Sequence, residues 1–226
     1  PLTLGFSAGS LPTILASPWR YLVRKLGWLT TNYVEAGGFA RTPLAEGVPD
    51  VQFHFVPGYR SHRGRLFEWG HGFALHTCVL RPQSRGSIRL TRDGSRAPEI
   101  DFNFLSDERD ALVLLEGIKL ARRILRASAF DGIRGKEMAP VAALQTDAEL
   151  MAYLRATAST VFHPSGTCRM GSDDASVLTP DLKVRGLKGL RVADTSIMPT
   201  LISGNTNAPT MMTGDKAADM ILSELV

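Results

Sequence analysis

An α+β fold, an antiparallel sheet with helices packed against it, follows from three observations. Extended, alternating stretches fill residues 33–104, and within Val51–Val56 the residues Val51, Phe53 and Phe55 fall on one face. Asp93-Gly94 stands between two such stretches, 87–91 and 100–102, and both residues tolerate the positive φ of a hairpin turn. Beyond them Ala111, Leu114, Leu115, Ile118, Ala121 and Leu125 recur at three- and four-residue spacing, which predicts a helix over 107–127.

Taken in order, residues 1–28 are rich in Gly, Ser and Pro and carry an apolar patch over 21–29, which predicts a loop and a short helix. Residues 33–40, 51–56, 73–79, 87–91 and 100–102 read as strands of one antiparallel sheet. The helix over 107–127 has acids at its start, Asp107, Glu108 and Asp110, and bases at its end, as the helix dipole favours. Thr146 with Glu149 three residues on forms a capping box, so a second helix is expected over 146–158. Leu190-Arg191-Val192 reads as a short strand, and a last helix starts near Pro209 and carries Met211, Met212, Met220 and Ile221.

The 226 residues suffice for a substantial core, and 44% hydrophobic with 21% charged residues is ordinary for a globular chain. The net charge of +4 is spread out, with Arg81, Arg85, Arg89 and Arg92 at strand-like spacing and Lys119, Arg122, Arg123 and Arg126 along one helix. Solvated faces account for it, and no nucleic-acid recognition motif accompanies it. No apolar run reaches the roughly 18 residues of a membrane span, and there is no signal-peptide pattern. Cys78 and Cys168 lie far apart and give no disulfide framework, which fits a reducing, cytoplasmic compartment and leaves peripheral membrane contact open. Because the chain begins at Pro1, we expect a piece of something longer.

The chemistry concentrates in the last third. His163 precedes Pro164, which holds the backbone away from helix, and histidine is the usual side chain for moving a proton near neutral pH. A packed histidine bonded to a carbonyl is the plain alternative. Asn205 and Asn207 stand in Gly204-Asn205-Thr206-Asn207 before a helix start, where an amide can hold an alcohol oxygen and the helix dipole can stabilise an anion. Asn207 also suits an N-cap. Zinc accepts both histidine and cysteine, but His163 and Cys168 alone fall short of the four ligands of a structural site, so no metal is expected.

Five segments together resemble a known family: Glu35-Ala36-Gly37-Gly38-Phe39, Arg81-Pro82-Gln83-Ser84-Arg85-Gly86, the run His163-Pro164-Ser165-Gly166-Thr167-Cys168-Arg169-Met170-Gly171, Gly189-Leu190-Arg191-Val192-Ala193-Asp194, and Gly204-Asn205-Thr206-Asn207-Ala208-Pro209. From about Asn32 onward the chain is similar to the C-terminal part of the glucose-methanol-choline (GMC) oxidoreductases, flavoproteins that oxidise alcohols, and within them to the choline and aliphatic-alcohol dehydrogenases. The resemblance implies His163 as the base that takes the hydroxyl proton as hydride leaves for the flavin, and Asn205 as the residue holding the substrate oxygen. It implies that Ala193, Asp194 and Thr195 run along FAD and that Thr206 and Asn207 touch its ring. The fold it implies is a substrate domain over 33–160, after a lead-in over 1–32, with 161–226 as the C-terminal return segment of an FAD-binding α/β domain.

The family's Gly-rich dinucleotide fingerprint, through which the pyrophosphate is approached, has no match here, because no GxGxxG occurs. The expected partners are therefore an N-terminal FAD-binding half, an alcohol and an electron acceptor of unspecified kind, and these 226 residues alone should bind FAD weakly or not at all and be inactive by themselves. Choline would need aromatic faces and a carboxylate, for which Tyr33, Phe55, Phe162 and Glu35 are available as cage or as core. A non-catalytic module that kept the fold is the reading of another class. Intact His163 and Asn205 count against it.

Overall fold

The computed structural model describes residues 3–58, 69–91 and 97–225. They form two compact units, one made of residues 1–78 and 114–146, the other of 79–113 and 147–226.

The first unit opens with α1 (Leu11–Arg24), a longer helix than the sequence predicts. Ser10 caps it from a fully buried position, with its hydroxyl donated to the Gly5 carbonyl at 2.9 Å. Strand β1 (Ala36–Ala40) pairs antiparallel with β2 (Val51–Val56), Ala36 opposite Phe55 and Ala40 opposite Val51. β3 (Ala74–Val79) lies on the other side of β2. Val51, Phe53 and Val56 are the buried residues of β2, and Phe55 instead joins a ring cluster with Phe73 and Phe130 at centroid distances of 5.6 and 6.2 Å.

The helix over 107–127 is observed as α2 (Glu108–Leu125), with Ala111, Val113, Leu114, Leu115 and Ala121 buried. Its first turns belong to the second unit and the remainder to the first. Gly117 faces β2 and β3 so closely that a Cβ there would lie 2.7 Å from Thr77 Cγ2 and 3.1 Å from Val51 Cγ1. Only a residue without a side chain permits that approach.

The single sheet expected over 33–104 is two sheets. The second unit holds β4 (Ser87–Leu90) and β5 (Pro98–Asp101), antiparallel, with Ser87 opposite Asp101 and Leu90 opposite Pro98. The interruption has a physical cause in Asp110, whose carboxylate is buried in the first turn of α2. It accepts the Gln83 N–H at 2.9 Å, the Ser84 N–H at 2.8 Å and the Ser84 hydroxyl at 2.6 Å. Pro82 has no N–H to offer, so residues 82–84 have no amide left for a strand partner. Arg92 and the Asp93-Gly94 turn lie outside the described residues.

α3 (Asp147–Thr157) starts one residue after Thr146 and buries Leu150 and Leu154. Its Arg155 donates to the Leu105 carbonyl at 2.9 Å and pairs with Glu108. α4 (Asn207–Leu225) starts two residues before Pro209, which sits in the first turn where a missing N–H is free of cost. The strand expected at 190–192 is instead one arm of a tight turn: Gly186 and Gly189 take positive φ, 78° and 74°. Lys183 bridges Arg191, and the Val184 N–H reaches the Leu190 carbonyl at 3.0 Å. Leu178, Leu182, Ile197, Met198 and Ala217 form the core of this part, with Cys168, Met170, Val192 and Ala193 packed on it. Each large apolar side chain buried there contributes about 1.5–3 kcal/mol. Among the described residues no helix is long and apolar enough to cross a membrane.

Candidate active site

The second unit brings His163 and the segment 204–207 together. The Phe162 N–H is held by the Thr160 hydroxyl at 2.8 Å, and Phe162 itself takes a φ of 67°, a left-handed value that costs a bulky residue energy. The turn leaves the Phe162 ring 83% exposed and brings half-buried His163 to Thr206, where Nδ1 and the Thr206 Oγ1 are 2.8 Å apart. Thr206 is buried, and among the described residues Nε2 of His163 has no hydrogen-bond partner.

Thr206 is the N-cap of α4. Its carbonyl accepts the Thr210 N–H at 3.0 Å, the first bond of the helix, and the Thr210 hydroxyl at 2.6 Å. Asn207 is therefore inside the first turn rather than at the cap, with its side-chain amide 3.8 Å from Met211 Sδ. Asn205 and Asn207 are exposed on either side of buried Thr206.

From His163 the chain runs through Gly166, at a φ of 88°, where a Cβ would stand 3.2 Å from the Met198 carbonyl. It then lies along a 3-10 turn, Thr195–Ile197, to which Cys168 N–H and Met170 N–H donate at 3.0 and 2.8 Å, to the carbonyls of Ser196 and Ile197. Asp194 caps that turn, accepting the Ser196 N–H at 2.7 Å. The Ser196 hydroxyl and then its amide hold the Asp194 carboxyl below the usual carboxylate range. Ala193 packs on the core below, and Thr195 is half-buried in the turn.

The opposite end of the segment is clamped. Arg169 forms a bidentate pair with Asp173 at 2.9 and 2.7 Å and also donates to Ser176 at 2.8 Å. The Arg169 guanidinium, first, and the Ser176 hydroxyl keep Asp173 far below the ordinary range. Arg81 joins from the 81–86 loop, donating to the Ser203 hydroxyl at 2.7 Å beside Gly204. Asp110 thus anchors a loop whose first residue reaches the segment before Asn205.

The sequence reading named Thr206 only for its backbone, and it missed both the hydroxyl's bond to His163 and the anchoring role of Asp110. A threonine directly before a helix start was a visible signal for the cap. Nothing in the sequence marks its partner 43 positions away. Of the candidate substrate residues, Phe162 flanks His163, whereas Glu35 and Phe55 belong to the first unit. There Glu35 accepts from the Thr31 hydroxyl and donates its N–H to the Phe55 carbonyl at 3.1 Å, and the Phe55 ring packs on Phe73 and Phe130. Among the described residues no group of three or more His, Cys, Asp and Glu is placed to hold a metal ion.

The arrangement offers a histidine nitrogen, side-chain amides and the N–H groups of a helix start, all on one backbone-linked scaffold. The amides and the helix N–H groups are neutral donors, of the kind that carbonyl oxygens accept from. The GMC oxidoreductase family model matches residues 82–214, and the chain belongs to that family. It is 42% identical over 223 residues to an alcohol dehydrogenase [acceptor] of Pseudomonas putida, covering 98% of this chain and 40% of the relative. It is 44% identical over 208 residues to an oxygen-dependent choline dehydrogenase of Pseudomonas aeruginosa, covering 92% of this chain and 37% of that one. The structure is also similar to pyridoxine 4-oxidase from Mesorbium loti, with a TM-score of 0.72, 27% identity, and coverage of 83% of this chain and 37% of the oxidase. The chain thus spans about 40% of the length of the curated relatives it matches.

Proposed function

We propose that this chain is the C-terminal, catalytic-residue-bearing part of an FAD-dependent alcohol dehydrogenase that oxidises a primary alcohol to an aldehyde. The observation that carries the reading is the 2.8 Å bond between His163 Nδ1 and Thr206 Oγ1, which sets a proton acceptor beside Asn205 and the start of α4. FAD, when bound, supplies the acceptor for the hydride leaving the alcohol carbon. Ala193, Asp194, Thr195, Thr206 and Asn207 are the residues of this chain that would hold it. Among them the Asn207 amide and the N–H groups at the start of α4 are the donors that carbonyl oxygens of its ring would accept from. The absence of a GxGxxG leaves its pyrophosphate to an N-terminal FAD-binding half, with 161–226 as the return segment of that domain and 33–160 as the substrate domain.

The remaining steps belong to the side chains. With its proton on Nδ1, donated to the Thr206 oxygen, His163 presents the lone pair of Nε2 to the alcohol hydroxyl and takes its proton. Asn205 donates to the alcohol oxygen, and the partial positive charge at the start of α4 favours the negative charge that gathers there as the proton leaves.

An aliphatic alcohol fits better than choline. Phe55 spends its ring on Phe73 and Phe130, and Glu35 is engaged by Thr31, so two of the residues a cation cage would use have structural work. Dye reduction by the complete polypeptide with aliphatic alcohols and with choline tests the reading. Turnover of aliphatic alcohols should lead, and His163→Ala should lower it by about 100-fold or more. A His163→Ala rate within a few-fold of the parent would remove the base assignment, and a complete polypeptide that binds no flavin would favour the non-catalytic module.

A further inference from the structure

The geometry points to Arg81 as a positioning residue for Asn205, an inference that rests on the proposed alcohol oxidation and adds a residue to it. Asn205 stands between two side-chain ties. One position after it, the Thr206 hydroxyl meets His163 Nδ1 at 2.8 Å. Two positions before it, the Ser203 hydroxyl accepts from an Arg81 guanidinium nitrogen at 2.7 Å, across 122 positions of chain. Between the ties, Gly204 is open on the side where a Cβ would stand, with no atom within 4 Å, and Asn205 is exposed. A glycine in open space leaves the backbone free to turn. The direction of the Asn205 amide therefore depends on how Ser203 and Thr206 are held.

The backbone before Ser203 is anchored by Ile202, which packs against the core around Leu178 and whose carbonyl accepts the Gly204 N–H at 2.9 Å. Ser203 itself is exposed and lies outside any helix or strand, and Arg81 takes it up there. A long side chain positions a partner only where its own backbone is fixed, because its rotamer freedom has to be surrendered. Loop 81–86 meets that condition. Beyond the bonds to buried Asp110, the Ser84 hydroxyl accepts the Asp107 N–H at 3.1 Å, and the Asn103 side-chain amide donates to the Arg85 carbonyl at 2.9 Å. At Gly86 the chain runs so close to β5 that a Cβ would collide with the Asp101 carbonyl oxygen. A guanidinium also stays charged at every pH at which a histidine titrates, so the tie holds whichever form His163 is in.

The test is steady-state turnover of an aliphatic alcohol by the complete polypeptide, with flavin content and thermal midpoint measured alongside. Ser203 is exposed, so Ser203→Ala leaves the core untouched and accompanies Arg81→Met. We expect each to lower kcat about tenfold with KM within about twofold, as loss of orientation does. Flavin content, midpoint and the pH of half-maximal turnover should stay at the parent values. Arg81→Lys, an ammonium donor of nearly the same reach, should recover most of the rate. In an Asn205→Ala background Arg81→Met should cost nothing further, because the two residues act as one unit. Parent-like kcat in Arg81→Met or Ser203→Ala, or the full loss repeated on top of Asn205→Ala, overturns the proposal and leaves the role of His163 standing. A fall in flavin content or midpoint that accounts for the lost rate also overturns it, by making Arg81 a structural residue. Asn205→Ala at the parent rate removes the target of the tie and the proposal with it. Only if His163→Ala is at the parent rate as well does the alcohol-oxidation reading itself fall.

Discussion

His163 Nδ1 and Thr206 Oγ1 are 2.8 Å apart although 43 positions separate them in the chain. Thr206 is both the N-cap of α4 and the orienting partner of the histidine, so the imidazole is referenced to a helix end rather than to a loop. Thr206→Val keeps the shape and removes the hydroxyl. We expect it to lower alcohol turnover in the complete polypeptide about tenfold, the size of one well-placed hydrogen bond, while Thr206→Ser stays near the parent. The nitrogen shifts of His163 should show the Nδ1–H tautomer in the parent and a mixture in Thr206→Val. A parent with its proton on Nε2 would contradict the assignment.

The carboxylate of Asp110 accepts from two amides and a hydroxyl while buried. Asp110→Ala strands those donors, and we expect a loss of about 2–4 kcal/mol in denaturant unfolding, with Asp110→Asn losing less because one acceptor oxygen remains. An alanine variant as stable as the parent would mean the loop finds other acceptors.

Gly117 sits inside α2, where alanine normally stabilises a helix by up to about 1 kcal/mol. Here the added methyl would press on Thr77 and Val51, and crowding of a packed core costs about 1–3 kcal/mol. The second effect is larger, so Gly117→Ala should lower the thermal midpoint. A raised midpoint would show that β2 and β3 yield.

A charge network holds the last turn of α4. Glu224 pairs with Arg191 at 2.5 Å and Lys183 at 2.7 Å, and Lys183 pairs with Asp181 at 3.0 Å. The Arg191 side chain, then Lys183, lowers the Glu224 carboxyl, and the Thr179 hydroxyl, then Lys183, draws Asp181 down to about 2. Folded values below the unfolded ones mean that the contribution is complete above about pH 4–5 and is lost as pH falls, for Asp181 through about 2. The Lys183 ammonium is raised, by Glu224 first and Asp181 second, so its share is complete below its ordinary value and disappears as pH rises above it. All these groups are exposed and the effect is small. Glu224→Gln should unfold earlier than the parent at neutral pH, and the gap should close in acid and narrow in salt. A gap that persists in acid would assign the loss to packing.

What periodicity writes into a sequence was readable. The apolar spacing of 107–127 located α2 to within two residues, and the alternation at 51–56 located β2. What depends on a partner was not. Among the described residues the 33–104 segment contained every strand, yet Asp110 looked like an ordinary acid at a helix start, and only folding shows it taking the amides that would have joined two sheets into one. The site segments were legible as motifs because Gly and Pro fix their paths. Their meeting was not, since the bond that joins them runs through a hydroxyl common to any threonine. Phe55 shows the reverse: alternation put it on the buried face, and its ring went to Phe73 and Phe130.

The two amide bonds from Cys168 and Met170 to the carbonyls of Ser196 and Ile197 have no side chain in them. An alanine scan would score all four positions as packing and pass over the tie between the histidine's segment and the Asp194 turn, because a main-chain bond survives every truncation beyond Cβ. Amide-to-ester replacement at position 168 or 170 is the alteration that reaches it. Natural variation is blind to the tie in the same way, with one exception: proline, which removes the donor, should be the residue these two positions never accept.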